Sequence, residues 1–149
     1  MSGPPYPPIE QMLPHRAPFL FIQSICELFE DRIVCHGVIE KGHYLTLGEE
    51  APPILGIEMG AQASGIHAAQ QNRDTGPTNS PARVGYLVGI RQSRFHVKAL
   101  PVGRTLRVEA IAHGASGPLA TYGILVRAEG EEDLMVEARI STWAADQAG

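Results

Sequence analysis

Glu58 is the only charged side chain between positions 51 and 71, in the run A-P-P-I-L-G-I-E-M-G-A-Q-A-S-G-I-H-A-A-Q-Q. A carboxylate among apolar neighbours loses free energy unless it is paired, hydrogen-bonded or protonated. Chains that retain one in such a place often use it as an acid or a base. Fifteen positions earlier stands His43, in a stretch without strand or helix period. Imidazole changes charge near neutral pH, so His43 and Glu58 reaching one cleft would form an acid–base pair. Gln62 follows Glu58 by one helical turn on the same face. It either orients the carboxyl or closes a polar pocket. Two bland readings stand beside these: Glu58 as a structural acid bonded to backbone amides at a helix start, and His43 as an exposed loop histidine.

The other polar groups fit quieter roles. His15, in L-P-H-R-A-P-F, reads as a residue that hydrogen-bonds locally and fixes how the chain approaches the helix. His67 lies nine residues after Glu58, about 180° further round a helix, and reads as a satisfied interior or groove histidine. Six histidines show no ligand spacing on one element, so no metal is expected. Cys26 and Cys35 read as reduced, small hydrophobic residues. Strict alternation would put Arg91, Ser93 and Phe95 on one strand face; the basic residues Arg91, Arg94 and Lys98, on this strand and its exit, either meet an anionic partner or are ordinary solvated charges.

These groups must be carried by a frame. Residues 1–8 hold four prolines and read as an irregular arm. One helical turn is expected over 9–13, stopped by Pro14. Residues 22–29 and 32–39 read as two strands about a turn at Glu30-Asp31. Residues 40–52 form a loop, and Pro53 suits the first turn of a helix running to about Gln71. Gly56, Gly60 and Gly65 each cost that helix about 1 kcal/mol relative to alanine. Close approach of a sheet to the helix backbone would explain them. A polar loop over 72–82 precedes strands at 83–97, 105–112, 120–129 and 134–144. Gly89, mid-strand, marks a bulge or a close approach by a ligand. One long buried helix followed by antiparallel strands is an α+β arrangement, with the helix on one face of a curled sheet.

Composition narrows the class. A chain of 149 residues suggests a single domain, here spanning 1–149. A net charge of −4 offers no support for nucleic-acid or anionic-membrane binding. No apolar stretch reaches the roughly 18 residues that span a bilayer. The first eight residues, M-S-G-P-P-Y-P-P, lack the basic and apolar regions of a signal peptide, so a cytoplasmic location is expected.

Three stretches resemble the FabA/FabZ-like 3-hydroxyacyl-acyl-carrier-protein dehydratases, within the hotdog fold. They are L-P-H-R-A-P-F-L-F from Leu13, G-I-E-M-G-A-Q from Gly56, and the long strand with its P-V-G turn from Arg83 to Val108. The resemblance spans nearly the whole chain and is nearest to the subgroup associated with aryl-polyene gene clusters. It implies a curved antiparallel sheet wrapped around a central helix, and a cofactor-free hydro-lyase acting on a chain carried by the phosphopantetheine of acyl carrier protein. It implies further that a loop histidine of one subunit takes a proton from C2. The helix carboxyl of another subunit gives one to the leaving 3-hydroxyl, and amides near the helix start polarise the thioester carbonyl. Carried onto this chain, the catalytic residues are Glu58 and His43, and the substrate-binding residues are Ile54, Leu55, Gln62 and Gly89.

Two departures from the pattern stand out. The family histidine lies fourteen residues before the acid, where this chain has Tyr44. The family glycine five residues before the acid is here Pro53, which has no N–H to offer. Amides of Ile54 or Leu55 would have to serve. Two rivals to the dehydratase reading follow: a non-catalytic hotdog partner of a competent dehydratase, and a hotdog acyl thioesterase. On any of these readings a homodimer, higher oligomer or hetero-oligomer is expected, since a lone copy leaves a sheet edge unpaired.

Overall fold

A computed structural model of the chain describes residues 6–75 and 84–145. After a 3-10 turn at Ile9–Gln11 come β1 (Ile22–Leu28), β2 (Arg32–Gly37), β3 (Glu50–Ala51), α1 (Ile54–Thr75), β4 (Val84–Phe95), β5 (Leu100–Pro101), β6 (Leu106–Ser116), β7 (Leu119–Ala128) and β8 (Leu134–Ala145). Six strands form one antiparallel sheet in the order β1-β2-β6-β7-β8-β4, and β3 pairs with β5 apart from it. α1 packs on β6, β2, β7, β8 and β1, so the sheet curves around it. This is the α+β arrangement expected from the sequence.

Alternation builds the inner face. Leu106, Val108 and Ala110 of β6, Tyr122, Ile124 and Val126 of β7, and Val136 and Ile140 of β8 are buried. Arg107, Glu109 and Arg127 lie between them in sequence and on the opposite face. From α1, Leu55, Ile57, Met59, Ala63 and Ile66 close the layer.

The helix glycines are explained in two ways. A Cβ on Gly60 would overlap the side chain of Ile124 on β7, and one on Gly56 would sit 3.0 Å from Val136 on β8. For these two, close approach of the sheet is the reason. Gly65 instead faces Leu13 Cδ2, 3.0 Å from a built Cβ, so it makes room for the N-terminal segment and not for the sheet.

Several details differ from expectation, among them a short strand at Glu50–Ala51 within the expected loop. α1 continues to Thr75, because polar residues in a last turn carry no apolar period to mark its end. β6 runs on to Ser116, with a register slip at His113 and a turn at Gly117, whose φ is +59°. β4 does not alternate strictly: Gln92 has φ +52° and the register slips between Arg91 and Arg94. Arg91 therefore pairs with exposed Arg139, while Phe95 pairs with buried Val136. Arg91 and Phe95 end up on opposite faces. A second slip, between Leu87 and Gly89, accounts for Gly89 as a bulge position.

His67 ties the frame together. Its Nε2 donates to the carbonyls of Phe29 and Glu30 at 3.2 and 2.9 Å, and its Nδ1 accepts from the Tyr122 hydroxyl at 3.0 Å. It is 3% exposed, the satisfied interior histidine expected.

Candidate active site

α1 turns an open stripe away from the sheet, formed by Ile54, Glu58, Ala61, Gly65 and Ala68. Glu58 lies on that stripe, with its side chain 38% exposed. The helix is buried, as its composition implied, but the carboxyl is not shut away in a single copy. It sits at the margin, where the segment 13–21 crosses the helix.

Gln62 fixes that crossing. It is fully buried, and its Oε1 accepts from the amides of Phe21 and Ile22 at 3.0 and 3.4 Å. Its Nε2 donates to the carbonyl of Phe19 at 2.7 Å and to Glu58 Oε1 at 3.3 Å. The two readings offered for Gln62 are therefore one structure: it closes the polar gap beneath the crossing segment and, in doing so, touches the carboxyl.

The imidazole beside Glu58 in the same chain is that of His15. Its Nε2 lies 3.4 Å from Glu58 Oε1, and its Nδ1 is buried without a hydrogen-bond partner among the described residues. The sequence reading of His15 as a locally bonded residue is corrected here. The local bonds belong to Arg16, whose guanidinium donates to the carbonyls of Leu13, His15 and Glu10 at 2.9, 2.7 and 3.1 Å. Arg16 was missed from sequence. An arginine two residues before Pro18, in an otherwise apolar stretch, is the signal that could have found it.

His43 is 7% exposed, so it is not a solvated loop histidine. Its Nδ1 accepts the amide N–H of Leu45 at 3.1 Å, which places the ring proton on Nε2, and Nε2 donates to the carbonyl of Pro18 at 2.9 Å. The ring stacks on Tyr44, with centroids 5.0 Å apart, and meets Phe19 and Phe21 at 5.9 and 5.5 Å. His43 and Glu58 thus flank the same segment, His43 through Pro18 and Glu58 through Gln62 and Phe19.

At the helix start, the Leu55 amide donates to the carbonyl of Pro52 at 3.1 Å. Ile54 N–H has no such partner among the described residues, so Ile54 is the amide left available. Gly89 lies on β4, at the sheet edge. No group of three or more His, Cys, Asp or Glu side chains that could hold a metal ion is found among the described residues. None of their helices is long and apolar enough to cross a membrane.

A family model described as ApeP-like, ApeP dehydratase, matches residues 7–149. The chain belongs to the ApeP-like dehydratase family. Among curated relatives, it is 29% identical over 139 residues to the 3-hydroxyacyl-[acyl-carrier-protein] dehydratase FabZ of Listeria welshimeri, covering 89% of this chain and 90% of that one. It is 31% identical over 107 residues to the FabZ of Clostridium perfringens, covering 68% and 71%. Among solved structures, the dehydratase heterocomplex ApeI:P from Xenorhabdus doucetiae superposes with a TM-score of 0.81 at 21% identity, over 95% of this chain and 93% of that one. The hotdog fold expected from the three motifs is the fold observed, and the chain is a member of a hydro-lyase family.

Proposed function

We propose that this dehydratase removes water from a 3-hydroxyacyl thioester carried on the phosphopantetheine of acyl carrier protein, at a site completed by a second hotdog chain. The observation that carries the reading is the state of Glu58. One carboxyl oxygen, Oε1, is held by Gln62, while Oε2 has no hydrogen bond or ion pair among the described residues and the side chain is open enough to meet a substrate.

The step balances without a cofactor. The C2–H bond breaks toward a base, and its electron pair becomes the second bond between C2 and C3. The C3–O bond breaks as Glu58 delivers its proton, and the hydroxyl leaves as water. Negative charge that builds on the thioester oxygen is met at the helix start, where the Ile54 amide is available. His43, from a neighbouring chain, is the proposed base. Its lone pair is on Nδ1, the nitrogen that would take the C2 proton and that accepts the Leu45 amide in the single chain.

The need for a second chain rests on exposed apolar surface. β4 is an outer strand of the sheet, and Leu87, Val88, Ile90 and Phe95 on it are 38–56% exposed. Tyr44, Leu45, Leu47 and Ile54, beside His43 and the helix start, are 42–86% exposed. A free edge of this length and character is a pairing site. A like chain laid along it would cover the apolar strand, and the exposed side chains beside His43 call for a cover of their own.

A second reading has its own support. The occupied ring of His43 and the proline at position 53 both weaken this chain's half of the site. On that reading the chain serves in a hetero-assembly, and a different hotdog chain provides the imidazole. Family membership gives the thioesterase alternative no support.

The test is mass spectrometry of a 3-hydroxyacyl carrier-protein thioester after incubation with the purified protein, alone and with a second hotdog chain. Loss of water by the protein alone supports the first reading, and loss of water only in the mixture supports the second. Release of free thiol without an enoyl product, or no change in either mixture, rejects the dehydration proposal.

A further inference from the structure

A buried polar atom without a partner calls for an explanation. His15 Nδ1 is such an atom, on a ring whose backbone carbonyl is pinned by Arg16. The other ring nitrogen, Nε2, stands 3.4 Å from Glu58 Oε1. Hydrogen bonds at catalytic groups are commonly long without substrate and tighten in the complex.

We propose that His15 is a positioning residue which, together with Gln62, gives the two oxygens of Glu58 different tasks; this rests on Glu58 acting as the acid. Gln62 donates to Oε1 at 3.3 Å, and His15 Nε2 approaches the same oxygen. The tautomer follows from the orphan. With the ring proton on Nε2, the bare atom at Nδ1 is an acceptor. Placing the proton on Nδ1 would bury an N–H donor with no acceptor and leave Nε2 unable to donate to the carboxyl. The His15 ring proton is therefore placed on Nε2.

An oxygen facing two N–H donors has no room for a proton of its own. In the acid form Oε1 is the carbonyl oxygen and the proton is on Oε2, the oxygen left free for the substrate. When the O–H bond of Oε2 breaks and its proton joins the departing hydroxyl, the charge left on the carboxylate is shared with Oε1. There Gln62 already donates and His15 Nε2 stands 3.4 Å away, so only a short closure is needed at the moment of reaction. The segment from Leu13 to Phe21 thus takes part in the chemistry through His15, beyond its part in packing.

Three variants and one spectrum test this. His15→Leu removes the donor and the orphan acceptor together. The expected result is a kcat about 10–100-fold lower with KM nearly unchanged and a melting temperature not reduced, since a bond to a charged group is lost while no buried bond is broken. His15→Gln, which carries an N–H donor, recovers part of that kcat. Unchanged kcat in His15→Leu overturns the proposal. So does a parallel fall in melting temperature and activity that His15→Gln fails to repair, which marks a structural residue. If the unmodified protein does not dehydrate the thioester, the proposed reaction fails, and the contact is read from the ring nitrogens instead. The 15N spectrum of the His15 ring is expected to show a proton on Nε2 and a shift of that signal in Glu58→Gln. A proton on Nδ1, or a ring signal indifferent to Glu58→Gln, overturns the assignment of the two oxygens.

Discussion

Gln62 Nε2 lies 3.3 Å from Glu58 Oε1 while the rest of its amide holds the backbone of Phe19, Phe21 and Ile22. One side chain therefore joins the candidate acid to the segment that crosses over it. Gln62→Leu leaves two buried amide hydrogens and one part-buried carbonyl without their Gln62 partner. A loss of about 3 kcal/mol or more in stability is expected, at about 1–3 kcal/mol for each orphaned group. A denaturant titration reads it. A midpoint that does not move would show that Gln62 is not the tie described.

Glu58 is different, because it is half open and its loss orphans only contacts at Oε1. Glu58→Gln is expected to change stability by less than about 1 kcal/mol, the usual range for exposed ion pairs and surface positions. Its thermal melt should overlay that of the unmodified protein. A large drop would make Glu58 a structural acid.

Gly60 and Gly65 separate two causes of helix glycine. Alanine at an ordinary helix position gains about 1 kcal/mol over glycine. Gly60→Ala would press a methyl into Ile124, so a net loss of about 1–3 kcal/mol is expected. Gly65→Ala meets only the flexible end of Leu13 and is expected to be near neutral. Melting temperatures of the two variants, compared side by side, check the contrast.

Much of this was legible in the sequence, and the misses share a cause. The buried helix, its glycines and the four long strands after it are local patterns, set by composition and period. The bulge at Gln92 breaks the period of β4 without leaving a glycine or proline to announce it, and so Arg91 and Phe95 were assigned to one face. The Glu58–His15 contact joins positions 43 residues apart through a tertiary crossing, and no spacing rule reaches that far. His43 was legible as a polar group near the site, but its ring is satisfied by Leu45 and Pro18, which only coordinates reveal.

Stability should fall in alkali in a defined window. Burial pushes the Cys35 thiol from 9.0 up to about 12, with Cys26 adding to the shift, and pushes the Tyr122 phenol from 10.0 up to about 12. The unfolded chain releases these protons near 9.0 and 10.0, while the native chain keeps them. Their contribution is complete below pH 9 and is lost as the pH rises from about 9 to about 12. Chemical denaturation at a series of pH values should show this decline, and Tyr122→Phe should flatten its upper part. A flat profile to pH 11 would contradict the burial of both groups.

The β4 edge carries the prediction about assembly. Val88→Lys with Ile90→Lys puts two charges on the exposed apolar strand, which discourages edge pairing. Light scattering is expected to give a dimer or larger for the unmodified protein and a monomer for the double variant. An unmodified protein that is monomeric at every concentration would remove a cleft shared between like chains and leave only the hetero-assembly.

The most direct test of the acid role is the rate of enoyl formation from a 3-hydroxyacyl carrier-protein thioester by unmodified protein and by Glu58→Gln, each folded to the same melting temperature and in the same oligomeric state. The expected result is turnover in the first and a loss of at least about a hundredfold in the second, in keeping with removal of a general acid. Equal rates in the two would contradict it.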